Sequence, residues 1–118
     1  MSVYFAVGEA ATNDRFIVRL DDPEKIAHAR KIIDGKETIR IHVQGKIIQT
    51  MVPYNPQWRF HLDPASIDYF SFATEVCDAA VRYVEEHLRD VGTDFLPNAH
   101  WCPWSSRIIA EVSSEGVS

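Results

Sequence analysis

The sequence predicts an α+β domain with an antiparallel or mixed sheet of about five to six strands, and with one long and one shorter helix packed on one face. Three observations lead to this prediction. Several segments alternate apolar and polar residues, two Asp-Pro pairs mark helix starts, and the elements follow the order β-β-α-β-β-β-α-β. We place a single domain at 1–112 and a flexible tail at 113–118.

The alternating segments are short and are separated by turn residues. The predicted strands are 4–7, 15–20, 37–43, 46–52, 58–62 and 107–112. Gln44-Gly45 is predicted to form a tight turn between the third and fourth strands. Residues 93–106 are predicted to be irregular.

Both helices are predicted to begin at an Asp-Pro pair, because Asp accepts backbone N–H bonds at the N-cap and Pro suits the first helical position. The first begins at Asp22-Pro23 and ends at Gly35. The second begins at Asp63-Pro64, and we expect about seven turns of helix from its apolar stripe. The stripe consists of Ile67, Phe70, Thr74, Cys77, Val81, Val84 and Leu88.

The acidic composition argues against a nucleic-acid partner. Twelve Lys and Arg against seventeen Asp and Glu give a net charge of −5, whereas nucleic-acid binders need a basic field. No apolar segment approaches the roughly 18 residues that cross a bilayer, so we expect no membrane association. The first residues lack the basic region of a secretion signal, and a cytoplasmic location is therefore expected.

The two cysteines, Cys77 and Cys102, are expected to be buried and reduced, with a disulfide between them as the alternative. Position 105 is Ser, so Cys102 has no partner for a Cys-x-x-Cys redox pair. His61-x-Asp63 and His100-x-Cys102 bring together metal-ligand types, but neither spacing matches a zinc motif. We expect no metal and no cofactor.

Two Arg-x-His triplets are the first candidate for a binding site. Arg40 and His42 lie on one predicted strand, Arg59 and His61 on another, each pair opposite a run of apolar residues. If the two strands are neighbours, the four side chains share one sheet face and form an anion or carboxylate site. The alternative is a solvated polar face that is paired with acids.

The second candidate is the segment 95–106, which contains Trp101 and Trp104 and is stiffened by two prolines. Long irregular segments in compact domains are often functional, so both indoles are candidate ligand contacts. The alternative is a hydrophobic lid over one end of the core.

Several motifs resemble a small domain that occurs alone in bacteria and at the N-terminus of a slime-mould calmodulin-binding protein. The resemblance covers roughly residues 16 to 112 and implies no established activity or catalytic residue. The motifs are Asp22-Pro23 with Ala29-Arg30 and Gly35, His42-Val43 with Gly45, Tyr54-Asn55-Pro56 with Trp58 and 60–67, Glu75-Val76-Cys77-Asp78-Ala79, and Trp101-Cys102-Pro103-Trp104-Ser105-Ser106.

Calmodulin binding is not carried over to this chain, because calmodulin targets are basic amphipathic helices and the predicted long helix is rich in acids. The sequence favours a non-catalytic module that binds a small ligand or a protein. A small hydrolase or isomerase that acts on an anionic substrate, with His42 or His61 as acid/base, is the alternative. A purely structural partner-binding module is a third hypothesis.

Overall fold

The computed structural model describes residues 2–9, 12–72 and 75–113. These residues form the strands β1 (Val3–Glu9), β2 (Arg15–Leu20), β3 (His42–Ile48), β4 (His61–Leu62), β5 (Asp68–Phe70), β6 (Val91–Gly92), β7 (Phe95–Pro97), β8 (His100–Trp101) and β9 (Ser106–Val112). The α-helices are α1 (Pro23–Ile33) and α2 (Val81–Glu86), and single 3₁₀ turns occupy Pro64–Ser66, Glu75–Cys77 and Leu88–Asp90. The predicted α+β class is confirmed.

A three-stranded antiparallel sheet has the order β2-β1-β9, so that β1 is paired on both edges. Alternate side chains of its strands face the main core, among them Phe5, Phe16 and Ile108, which are at most 2% exposed. Since β2 and β9 both pair with β1, the register along β1 fixes which of their residues lie side by side.

The second sheet is organised around β3, which pairs antiparallel with β4, β5 and β8 along its length. A short parallel pair, β6 with β7, lies apart from both sheets. The predicted strands at the two ends of the chain are confirmed as β1, β2 and β9.

The helix α1 begins as predicted. The Asp22 carboxylate accepts a bond of 2.9 Å from the backbone N–H of Glu24, and Pro23 occupies the first turn. Ile26, Ala29 and Ile32 are buried on one side, which packs into the main core. Among the described residues no helix is long and apolar enough to span a membrane.

The long helix predicted from Asp63 is wrong. The Asp63 carboxylate does cap a helical turn, but that turn ends at Ser66. The chain then forms β5, whose Tyr69 and Phe70 suit a half-buried pleated surface, and becomes α-helical only at α2. The stripe is buried as predicted at Ile67, Phe70, Cys77, Val81 and Val84. Thr74 lies outside the described residues.

The strands predicted at 37–43 and 46–52 are a single strand, β3, and the turn predicted at Gln44-Gly45 is wrong. The Glu37 carboxylate accepts bonds from the N–H groups of Ile39 and Arg40 at 3.0 and 2.9 Å, and this local turn delays the start of β3. Of the strand predicted at 58–62, only β4 is formed, and short strands interrupt the segment predicted to be irregular. Apart from Ser113, the predicted tail lies outside the described residues.

Candidate functional site

A cleft of about 600 Å³ opens at one end of the three-stranded sheet. Residues 8–9 and 12–15 line it from the β1–β2 connection, and 104–107 with Ile109 line it from the start of β9. His42, the first residue of β3, also contributes. The volume is typical of pockets that hold a small molecule.

Two arginines of the cleft flank the same glycine. Gly8 of the central strand pairs with Arg15 of β2 on one side and with Arg107 of β9 on the other. Directly paired residues point to the same sheet face, and two strand spacings place the Cα atoms of Arg15 and Arg107 roughly 10 Å apart. One sheet face of the cleft therefore carries two guanidinium groups.

Most other arginines of the chain are paired with acids. Five of the eight form ion pairs: Arg19–Asp21, Arg30–Glu111, Arg40–Asp68, Arg59–Glu85 and Arg82–Asp14. Within the described part of the chain, Arg15 and Arg107 have no carboxylate at ion-pair distance, and both are exposed. In a chain of net charge −5, the cleft thus has a local positive potential of its own.

The two carboxylates of the cleft are engaged elsewhere. Glu9 accepts a bond of 2.9 Å from the N–H of Val81 on one oxygen and a bond of 2.6 Å from the Ser105 hydroxyl on the other. Asp14 accepts two bonds from Arg82, at 2.7 and 3.3 Å. These acids hold neighbouring segments together, and so they leave the two cleft arginines unneutralised by direct contact.

His42 is held by its backbone-facing nitrogen. Its Nδ1 lies 2.6 Å from the carbonyl oxygen of Ser106, and because a carbonyl only accepts, Nδ1 carries the proton. The other nitrogen, Nε2, has no hydrogen-bond partner among the described residues, so the neutral ring keeps one open acceptor position beside the cleft. The ring also contacts Phe70 and Trp104, at centroid distances of 5.3 and 6.1 Å.

Cys77 and Cys102 form a disulfide, so the prediction of two reduced thiols is wrong and the alternative holds. Both residues are buried as predicted, in a small cluster with Phe70 that is separate from the main core. Sequence pattern did not favour this pairing because the predicted long helix and the irregular segment gave no sign that the two residues meet. Their Cα atoms lie 5.1 Å apart.

The disulfide belongs to a set of links between two segments, 77–81 and 101–105. The N–H of Cys102 donates to the carbonyl of Cys77 at 2.8 Å, and the Trp101 indole donates to that of Ala79 at 2.8 Å. The backbone N–H of Trp104 donates to the Asp78 carboxylate at 2.9 Å. These links fix the position of the cleft wall that carries Trp104.

The four residues of the Arg-x-His prediction do not come together. His42 and Ile48 are the ends of β3, and His61 pairs with Ile48, which puts the two histidines roughly 20 Å apart along the strand. Arg40 lies just before β3 and pairs with Asp68 at 3.5 Å. The shared sheet face is therefore wrong as geometry, because β3 runs between the two triplets instead of lying beside a second long strand.

The other two members have structural partners of their own. Arg59 is exposed as predicted and bonds both the carboxylate and the backbone carbonyl of Glu85. His61, predicted on the exposed side, is 8% exposed and donates from Nδ1 to the carbonyl of Thr50 at 2.8 Å. Of the four, only His42 lines the cleft.

The two tryptophans of the second candidate have different positions. Trp101 is 2% exposed and packs edge-to-face on Phe16 and Phe60, so it belongs to the core. Trp104 lines the cleft, and its indole N–H is buried without a hydrogen-bond partner among the described residues. The segment thus supplies one lid residue and one cleft residue.

The described residues contain no group of three or more His, Cys, Asp or Glu placed to hold a metal ion. Sequence reasoning missed Gly8, Arg15, Arg107 and Ile109 as site residues. The two arginines stand almost a hundred positions apart in the sequence, and only the pairing of β2 and β9 with β1 brings them together.

Fold and cleft define a small α+β domain with a cationic cleft at the end of a three-stranded sheet. The family model for the N-terminal domain of a Dictyostelium calmodulin-binding protein matches residues 1–115, and the chain belongs to that family. This membership agrees with the resemblance of the sequence motifs. Searches of curated proteins and of solved structures gave no significant match.

Proposed function

We propose that this domain is a non-catalytic binding module that takes a small anionic ligand in the cleft. The observation that carries the proposal is the placement of Arg15 and Arg107 on either side of Gly8, both without an acidic partner among the described residues. Guanidinium groups bind phosphate and carboxylate through paired, charge-assisted hydrogen bonds. The Nδ1–H of His42 is already bonded, so this ring offers an acceptor when neutral and a third cation when protonated.

Catalysis has less support than binding. A general acid/base needs a titratable group within hydrogen-bond reach of the reacting atoms. The oxygens of Glu9 and Asp14 are occupied by Val81, Ser105 and Arg82. His61, one of the two histidines expected to act, lies at the far end of β3 from the cleft.

Thermal shift with inorganic phosphate tests the proposal. At a hundred times Kd, a ligand stabilises the folded state by about 2.7 kcal/mol, which raises Tm by roughly 10 °C in a domain of this size. Arg107→Ala and Arg15→Ala should each remove most of that shift. Arg89→Ala is the matched control, since Arg89 is also exposed, has no ion pair among the described residues and lies outside the cleft lining. Equal shifts in all three variants would show that phosphate acts elsewhere.

We further propose that this domain does not itself bind calmodulin, whatever the rest of a longer family member does. The apolar side of α1 is buried in the core, and α2 has only six residues. A calmodulin target presents an accessible amphipathic helix, so binding would require α1 to leave the core. Calorimetry with Ca²⁺-calmodulin should give no heat of binding, and a measurable Kd for the folded domain would contradict this.

The cytoplasmic location expected from the sequence remains a proposal, and the disulfide argues against a strongly reducing compartment. Alkylation of thiols at the moment of cell lysis, followed by mass spectrometry, distinguishes the two cases. Unmodified, linked Cys77 and Cys102 would point to an oxidising location.

A further inference from the structure

An apolar side chain lies between the two arginines of the cleft. A Cβ atom built on Gly8 would stand 2.9 Å from Cδ1 of Ile109, so the end of the Ile109 side chain lies directly over this glycine. Ile109 is nevertheless 43% exposed, and it is one of the few large apolar side chains that the described surface leaves open. The guanidinium groups of Arg15 and Arg107 therefore flank an apolar platform and not a polar floor.

An irregularity in the strand pairing places Ile109 there. Ala6 pairs with Ala110 while Val7 pairs with Ile108, so Ile109 is the extra residue of a β-bulge in β9. Bulges re-aim side chains and are over-represented beside binding sites. Here the bulge keeps Ile109 on the face shared by Gly8 and the arginines, and the absence of a side chain at Gly8 makes room for it.

A second apolar surface completes the lining. Trp104 borders the same cleft, where it contacts Phe70 and Phe72 edge-to-face at 5.7 and 5.5 Å. A cleft of about 600 Å³ is several times larger than a phosphate or carboxylate group needs. The remaining volume borders Ile109 and Trp104, and guanidinium groups themselves stack well on aromatic rings.

We propose that the ligand is an oxyanion joined to a flat apolar ring, that is, an aromatic phosphomonoester or an aromatic carboxylate. Its anionic group lies between Arg15 and Arg107, and its ring lies on Ile109 beside Trp104. This inference rests on the proposed anion-binding function and adds the class of compound that the cleft selects. It assigns Ile109 as the residue that distinguishes ring-bearing from simple anions.

The test compares matched probes by calorimetry on the full chain: methyl phosphate with phenyl phosphate, and acetate with benzoate. Burying one face of a ring is expected to tighten binding about tenfold within each pair. Ile109→Val removes only the Cδ1 atom over Gly8 and should reduce that ratio, and Ile109→Ser should bring it to about threefold or less. The pair with the larger gain identifies the phosphate or the carboxylate as the natural anionic group.

Two controls separate this inference from the function on which it rests. Ile39→Ser changes another exposed isoleucine, 70% exposed and outside the cleft lining, and should leave the ratio unchanged. Arg107→Ala should weaken both probes of a pair by the same factor. If the simple anions bind through Arg107 but the ring adds nothing, the ligand class is wrong and the anion site stands. If no probe binds, both proposals fail.

Discussion

Glu9 on β1 joins two segments that are far from it in sequence: one of its oxygens accepts the Val81 N–H at 2.9 Å and the other accepts the Ser105 hydroxyl at 2.6 Å. Val81 is the first residue of α2, and the residue at its N-cap, Ala80, makes no side-chain cap. Glu9 thus caps this helix from another element and at the same time holds the cleft wall in place.

Glu9→Ala should lower the free energy of unfolding by about 1–3 kcal/mol, because it leaves a helix N–H and a hydroxyl without their acceptor. Urea unfolding followed by circular dichroism measures the change. Asp94→Ala is the control, since Asp94 is exposed and has no polar contact among the described residues, so its loss should stay within about 0.5 kcal/mol. Similar values for both variants would contradict the capping role.

Removal of the disulfide should destabilise the protein and loosen the cleft. The bond closes a loop with a sequence separation of 25, which corresponds to about 3 kcal/mol of lost chain entropy in the unfolded state. We expect the Cys77→Ser/Cys102→Ser variant to unfold at lower urea but to keep its main core, which does not include the disulfide cluster. Its affinity for phosphate should fall, because the linked segment carries Trp104.

An intact mass two units below that of the reduced chain, with no thiol labelling under native conditions, checks the bond itself. If the native protein instead takes up two labels, the disulfide is absent. A double variant with unchanged urea midpoint would show that the bond contributes no stability.

Acid should destabilise the protein through carboxyl groups whose pKa is lowered on folding. The hydrogen bond from Arg30 lowers the pKa of Glu111, and the hydrogen bond from Ser2 lowers that of Asp21. A group with a lowered folded pKa contributes stability above its unfolded pKa, and this contribution is lost as the pH falls through the folded value. The free energy of unfolding should therefore change little from pH 7 to about 5 and fall below about pH 4.5.

Urea midpoints at pH 7, 5 and 3.5 measure this dependence. Glu111→Gln should make the acid loss slightly smaller, by less than about 1 kcal/mol, because the pair with Arg30 is exposed and screened by solvent. A midpoint that rises between pH 5 and pH 3.5 would contradict the sign.

Prediction from sequence worked best where local signals act alone. The Asp22-Pro23 cap and the alternation at 15–20 fixed α1 and β2 almost to the residue. It failed at 67–92, where three- and four-residue spacing identified the buried side chains but pairing with β3 and the disulfide decided the backbone. Burial is a property of side-chain type, whereas strand partners are chosen by residues distant in sequence.

The candidate site shows the same division. His42 and Trp104 were expected as binding residues on local grounds, and both line the cleft. The arginines expected beside them, Arg40 and Arg59, are paired with Asp68 and Glu85, while Arg15 and Arg107 meet only through the register of β1. No local pattern carries that register.

The shared pairing of Arg15 and Arg107 with Gly8 makes the distance between the two charges discrete. Each arginine stands on a strand that is hydrogen-bonded to β1, so no loop movement brings their Cα atoms closer or further apart. A charge relocated along β9 to the next position on the same face, from 107 to 109, would move by about 6.6 Å in one step. Relatives of this chain can therefore adapt to longer or shorter ligands only by such jumps, or by changing side-chain length at fixed rungs of the ladder.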